Sequence, residues 1–358
     1  MKRLLAVLLS AAMLISFAAC SKAPDGTANI YRSALDDDES FSGVVRMTKD
    51  GMPLYEVTGG VESDRTEEPI TVDTRFCVGS VSKQFAAAAI LTLQQDGKLS
   101  VDDKVTKYFP RYTIGKDITL RHMLDMRSGI AEFYDVEYID NAFTELPTGE
   151  LRDVITNKNS VAENRERLED WILHQPLVFE PDTDFEYSNS NYFLLARIVE
   201  IVTGQSYSDY VHEKIFKPLG MVNSSFIDEN DFRNIPHLAA PTVHPKTVYV
   251  GVTMGLGDII SNAHDMDLWL TSFKTNEVLN KESVEMMSTD YTDDKDEDYG
   301  FGIRMLGSGL FHSGSITTYQ TMVYSDTEKD INIFAVTNDE PNLDVSISDV
   351  VWDLVDRM

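Results

Sequence analysis

An α+β fold is predicted, with one antiparallel sheet assembled from the N- and C-terminal segments, flanked by helices, and a mostly helical subdomain inserted between them. Three observations carry this. Apolar runs of strand length, Val44–Met47 and Leu54–Val57, flank Lys49-Asp50-Gly51, and Asp-Gly between such runs specifies a tight hairpin. Strand periodicity returns in the last ~60 residues, at Phe301–Met305, Tyr319–Tyr324 and Ile331–Val336. The stretch between is helical in pattern, with loops, at Leu120–Met126, Asn164–His174, Asn191–Val202, Tyr207–Phe216 and Ala263–Phe273.

Taken in order, Lys2 and Arg3 precede an apolar run from Leu4 to Ala19 that is shorter than the ~20 residues a spanning helix needs. It reads as an export signal over residues 1–19. Ala18-Ala19-Cys20 resembles the bacterial lipoprotein cleavage box, which implies lipidation at Cys20. Residues 20–40 are polar, end in Asp36-Asp37-Asp38-Glu39, and read as a tether to a folded body over 41–358. Val72–Val78 has the pattern of a short strand, and Cys77 within it reads as a small buried hydrophobe. A helix is expected from about Ser80. Its stretch from Phe85 to Leu93 is apolar nearly all round, so it should be buried. The helical subdomain is placed at about 100–260. Gly204 and Gly220 stand where helix C-caps belong, and a last helix is expected over Leu343–Val355.

Composition excludes several functions. The 358 residues are 42% hydrophobic and 10% aromatic, too apolar for a disordered chain. Lys and Arg number 31 against 59 Asp and Glu, a net charge of −28. That acidity argues against gripping nucleic acid, whose phosphates are held by basic stripes, and against adhesion to anionic lipid through a basic surface. The two cysteines, Cys20 and Cys77, leave no room for a disulfide framework or a cysteine-built zinc site. The acidic run from Asp293 to Asp298 fails as a calcium loop, because Tyr299 and Met305 fall where Gly and Glu are required. His237 and His244 lack a third ligand nearby. No Gly-rich phosphate loop and no Gly-x-Ser-x-Gly elbow occurs. Neither a metal nor another cofactor is expected.

Three motifs carry chemistry. In Gly79-Ser80-Val81-Ser82-Lys83, Ser80 and Lys83 lie one turn apart on one helix face. The positive end of the helix favours an oxyanion at Ser80 and, with burial, a neutral Lys83 able to act as a general base. Tyr187-Ser188-Asn189 precedes a helix; a phenol can relay a proton to a leaving group, and a carboxamide can hold a substrate amide and a lysine together. His312-Ser313-Gly314-Ser315 is placed at a strand-like turn, where Gly314 is expected to let a substrate approach the backbone. The N–H groups of Ser315 and Ser80 could form an oxyanion hole.

Together the motifs, in this order, resemble those of the serine β-lactamase and penicillin-binding protein family: class C β-lactamases, D-alanyl-D-alanine carboxypeptidases and related esterases. The resemblance runs from about Phe41 onward and takes in Gly97-Lys98-Leu99-Ser100, Ser128-Gly129, Lys217-Pro218-Leu219-Gly220-Met221 and Tyr299-Gly300-Phe301-Gly302. It implies the β-lactamase/transpeptidase-like fold and an acyl-enzyme mechanism. Ser80 would be the nucleophile, with Lys83 and Tyr187 sharing the proton traffic. Asn189, His312, Ser313, Gly314 and Ser315 would bind substrate, His312 in the electrostatic role.

Four departures bear on activity. Leu124-Asp125-Met126-Arg127-Ser128-Gly129 stands where the family often has Leu-x-His-x-Ser-Gly, and Pro181-Asp182 replaces Pro-Gly. Ser315 and Thr318 occupy common glycine positions and should narrow the pocket. His312 in place of Lys weakens a fixed charge at a substrate carboxylate, which favours a peptidase, esterase or amidase over an efficient β-lactamase. The expectation is therefore a hydrolase of D-Ala-D-Ala-type cell-wall peptides, other amides or esters. The alternatives are a penicillin-binding or sensing protein with little turnover and a class C-like β-lactamase. The expected partners are a peptide, ester or β-lactam substrate and the membrane, through Cys20. A monomer is expected, outside the cytoplasm and lipid-anchored to the bacterial membrane.

Overall fold

Val44, Val45 and Met47 cannot all face one side of a strand, yet all are fully buried, which requires that the strand be covered on both faces. The computed structural model shows how. It describes residues 35, 38, 40–63, 65–139, 142–147, 151, 155–156, 158–227, 235–242, 252–292, 298–343 and 345–358. The expected leader, Cys20, nearly all of the tether, His244 and most of the acidic run fall outside them.

Strands β1 (Gly43–Lys49) and β2 (Met52–Gly59) form the expected hairpin, with Asp50 and Gly51 at φ of 51° and 71°. Strands β8 (Arg304–Leu306), β9 (Gly309–Ile316), β10 (Tyr319–Asp326) and β11 (Ile331–Thr337) come from the other end of the chain. The six make one antiparallel sheet in the order β2-β1-β11-β10-β9-β8. Residues alternate between its faces. Val44, Val323, Phe334 and Val336 join the main core, and Val45, Met322, Ile333 and Ala335 join a second.

The main core surrounds α1 (Ser82–Gln95), in which every residue from Ser82 to Leu93 is buried. Around it lie α2 (Leu120–Leu124), α3 (Val161–His174) and α4 (Asn189–Thr203), and between α2 and α3 in the chain β4 (Tyr134–Ile139) pairs with β5 (Ala142–Pro147) as a hairpin. Next come α5 (Tyr207–Val211), a π-helical turn (His212–Phe216) and α6 (Lys217–Leu219). Gly204 and Gly220 end their helices left-handed, at φ of 70° and 72°, as expected of C-caps. A small sheet in the order β3-β7-β6 pairs β3 (Phe76–Cys77) with β7 (Ile259–Ser261) and β6 (Ser225–Phe226). Helix α7 (Ala263–Thr275) packs on α1, where Trp269 stacks on Phe85 at 4.3 Å and donates to Gln84 Oε1 at 2.8 Å. Helix α8 (Lys281–Met287) follows. Helix α9 (Ile347–Asp356) covers the second core with Ile347, Val350, Val351 and Leu354, the i, i+3, i+4, i+7 spacing of one face. Leu35, within the stretch read as tether, is buried in the same cluster.

Some elements differ from expectation. The Val72–Val78 strand is only Phe76–Cys77, because the chain turns at Thr71–Thr74 under a Thr71 N–H bond to Thr74 Oγ1 of 3.0 Å. Helix α1 starts at Ser82, since Gly79–Val81 forms a 3₁₀ turn. The last helix starts at Ile347, where Ser346 caps it by accepting from Asp349 N–H. His312 lies inside a regular strand rather than at a turn.

Candidate active site

The nucleophile turn is clamped from both sides. Behind it, Val78 N–H donates to Ile259 O at 3.0 Å and Ile259 N–H to Ser82 Oγ at 3.0 Å. In front, β9 lies against its backbone so closely that a Cβ at Gly314 would stand 2.1 Å from Val78 O and 2.9 Å from Ser80 N. Gly79, at φ 53°, meets Ser315 N in the same way, at 2.8 Å. Gly314 therefore serves contact between strand and turn while also lining the cleft; any side chain there would strike the Val78 carbonyl. The seam brings β9 at Ser315 against the turn that carries Ser80, and both residues line the cleft.

Lys83 is fully buried, and its Nζ reaches Ser80 Oγ at 3.0 Å, Asn189 Oδ1 at 2.8 Å and Leu256 O at 3.1 Å. Asn189 Oδ1 and Leu256 O can only accept, whereas the Ser80 hydroxyl can also donate. A neutral amine would give its two N–H groups to those acceptors and turn its lone pair to Ser80. The ammonium would satisfy all three. Burial pushes Lys83 down to about 7, against the opposing pull of Glu132 and Asp258. The Tyr187 ring lies 4.8 Å from Nζ, and Tyr187 lines the cleft together with Ser80. Burial raises Tyr187 well above its ordinary range, so it stays a protonated phenol.

Tyr187 and Asn189 are positioned by the start of α4. The Asn189 N–H donates to the Glu132 carboxylate, and Ser188 N–H and Asn191 Nδ2 lie 3.4 and 3.6 Å from Met126 Sδ. Ser128 Oγ donates to Asn191 Oδ1 at 2.5 Å. Met126, at the position where the family often has His, thus meets these donors with a thioether acceptor. At the second departure Asp182 takes up a left-handed φ of 68°, which Asp tolerates better than most residues, and Arg127 Nε holds its carboxylate at 3.0 Å.

His312 is 2% exposed, with Nδ1 donating to Ser313 O at 2.5 Å and Nε2 3.4 Å from the Tyr299 hydroxyl. Burial, reinforced by Lys83, pushes it down to about 3, so the ring is neutral at physiological pH. The positive charge of the cleft comes instead from Arg304 of β8, whose guanidinium lies 5.4 Å from the Tyr299 ring. The cleft has a volume of about 380 Å³; Ser80, Tyr187, Asn189, Arg304, His312 and Ser315 contribute to its wall, and among the described residues no carboxylate does. Ser313, Gly314 and Ser315 also line it. Thr318 does not narrow the cleft, because it turns away to donate to Asn338 O at 2.7 Å. Arg304, Glu132 and Asp258 were missed at the sequence level. The one available signal was for Arg304, two residues beyond Tyr299-Gly300-Phe301-Gly302. Cys77 is buried, and His237 is exposed beside Glu62 at 3.5 Å.

The family model described as Beta-lactamase matches residues 28–355. Penicillin-binding protein 4* of Bacillus subtilis (strain 168) is 26% identical over 82% of this chain and 68% of its own length. Protein flp of Staphylococcus aureus (strain N315) is 26% identical over 74% of this chain, which spans about half, 53%, of that relative. The structure of the octameric penicillin-binding protein homologue from Pyrococcus abyssi superposes with a TM-score of 0.72 at 26% identity, over 88% of this chain and 74% of that one.

Proposed function

The chain belongs to the beta-lactamase family of serine hydrolases, and from that premise we propose that it cleaves amide or ester bonds beside a substrate carboxylate, as in D-Ala-D-Ala-type cell-wall peptides. The observation that carries this is the pairing of a buried Lys83–Ser80 couple with a cleft whose wall, among the described residues, includes Arg304 and no acid. A carboxylate is attracted to that wall, and a free ammonium gains nothing from it.

Ser80 passes its proton to Lys83 as its oxygen attacks the scissile carbonyl. The amides of Ser80 and Ser315 hold the oxyanion, and Asn189 orients the substrate amide. Tyr187 passes its proton to the leaving nitrogen or oxygen and regains one from the Lys83 ammonium, and the neutral Lys83 then takes a proton from the water that hydrolyses the acyl-Ser80 ester and returns it to Ser80. Arg304 takes the electrostatic role that the resemblance assigned to His312. The enzyme would work as a monomer outside the cytoplasm, anchored through a lipidated Cys20; mass spectrometry of the mature N-terminus tests the anchor.

A fluorophosphonate or fluorescent penicillin should label the wild type, and Ser80→Ala should abolish labelling. Persistent labelling of Ser80→Ala would remove the nucleophile assignment. Turnover of a D-Ala-D-Ala peptide, p-nitrophenyl esters and nitrocefin then decides the substrate. Labelling without turnover points to a sensing protein, and preferred hydrolysis of nitrocefin to a class C-like β-lactamase.

A further inference from the structure

The side of Lys83 away from the cleft carries a feature that this mechanism does not use. Segment 255–259 runs behind the nucleophile turn, accepting from Lys83 Nζ at Leu256 O and bonding the turn at both the N–H and the carbonyl of Ile259. In its middle sits Asp258, 5% exposed. The Oδ1 of its carboxylate is buried without a hydrogen-bond partner. The charged and titratable groups that act on it are Lys83 of α1, Arg165 of α3 and Tyr207 of α5, whose buried hydroxyl is likewise without a partner.

We infer that Asp258 is a positioning residue of this centre, a buried carboxylate that braces the 255–259 segment and sets the charge state of Lys83 from behind. The inference rests on reading Lys83 as the proton acceptor of Ser80. Two physical points support it. A carboxylate buried in the interior with an unpartnered oxygen is costly unless something nearby makes use of its charge. Asp258 itself is pushed up to about 7 by burial, close to Lys83, so one proton can reside on either group with little bias. The ionised carboxylate adds to the pull of Glu132, which holds the Asn189 N–H on the other side, in stabilising the ammonium; the neutral acid withdraws that share and favours the lysine acting as base.

The test is the pH dependence of kcat/KM for a p-nitrophenyl ester. Asp258→Asn removes the anion and should move the acidic limb to lower pH by about one unit, while Asp258→Glu keeps the limb in place even if the rate falls. An unmoved limb in folded Asp258→Asn overturns the inference, because a purely structural role lowers the rate without shifting the limb. If Asp258→Asn does not fold, carbon-13 NMR titration of the carboxyl groups reads the coupling from the other end. The Asp258 midpoint should rise in Lys83→Met, and an unchanged midpoint overturns the inference. That measurement is independent of turnover, so it stands apart from the Ser80→Ala experiment that decides the nucleophile.

Discussion

At the scale of single residues, Lys83 and Arg304 divide the electrostatic work, and their tests differ. Lys83 acts as a base only without its proton. Since burial holds it near 7, kcat/KM should be level above that pH and fall about tenfold per unit below it. A His312-dependent profile would turn over near pH 3 instead, so a limb placed there contradicts the assignment. Arg304 acts on substrate charge. Arg304→Gln should cost about tenfold to a hundredfold in kcat/KM for a peptide ending in a free carboxylate, the worth of one charged hydrogen bond. A neutral p-nitrophenyl ester should be turned over nearly as before. Equal losses for both substrates would mean that the guanidinium supports the Tyr299–His312 cluster rather than the substrate.

At the scale of elements, the catalytic groups are held by three pieces: the 3₁₀ turn before α1, the start of α4 and strand β9. The start of α4 depends on Met126, which is fully buried. Met126→Ala should destabilise the fold by about 2–5 kcal/mol, as core truncations do, and lower kcat more than it raises KM, because Tyr187 and Asn189 lose their support. Denaturant unfolding and steady-state kinetics check the two halves. Local pattern made much of this legible. The hairpin of β1 and β2, the buried α1 and both glycine C-caps follow from periodicity and turn chemistry within a few residues. What stayed hidden is long-range. Lys83 meets Asn189 and Leu256 at separations of 106 and 173 residues, and no pattern in the chain announces Leu256 or Asp258 as its neighbours. Strand β9 escaped notice because Gly309, His312 and Gly314 interrupt its apolar alternation; its closeness to the nucleophile turn is what demands the glycine at 314.

At the scale of the whole molecule, a sheet with a core on each face carries a chain of net charge −28, and stability should follow pH in an unusual direction. Asp258 and Asp125 are both buried and pushed up to about 7 from 3.8. Between those values the folded protein keeps protons that the unfolded chain has released, so each group makes stability fall as pH rises through the window. His312, pushed down to about 3 from 6.5, and His122, also pushed down by burial, act oppositely below about 6.5, and Lys83, pushed down to about 7 from 10.5, acts oppositely only above 7, while Asp265, pushed up by burial, adds to the two aspartates. Ionisation of the many surface acids adds repulsion in the same direction as the two aspartates. The thermal midpoint should therefore be higher at pH 5.5 than at pH 7.5, and a higher midpoint at 7.5 would refute the assignment. Salt separates the two causes. Repulsion among exposed acids is screened at about 1 M ionic strength, whereas the buried carboxyls are not. A difference that survives high salt in the wild type and shrinks in Asp125→Asn belongs to the interior; one that vanishes with salt belongs to the surface.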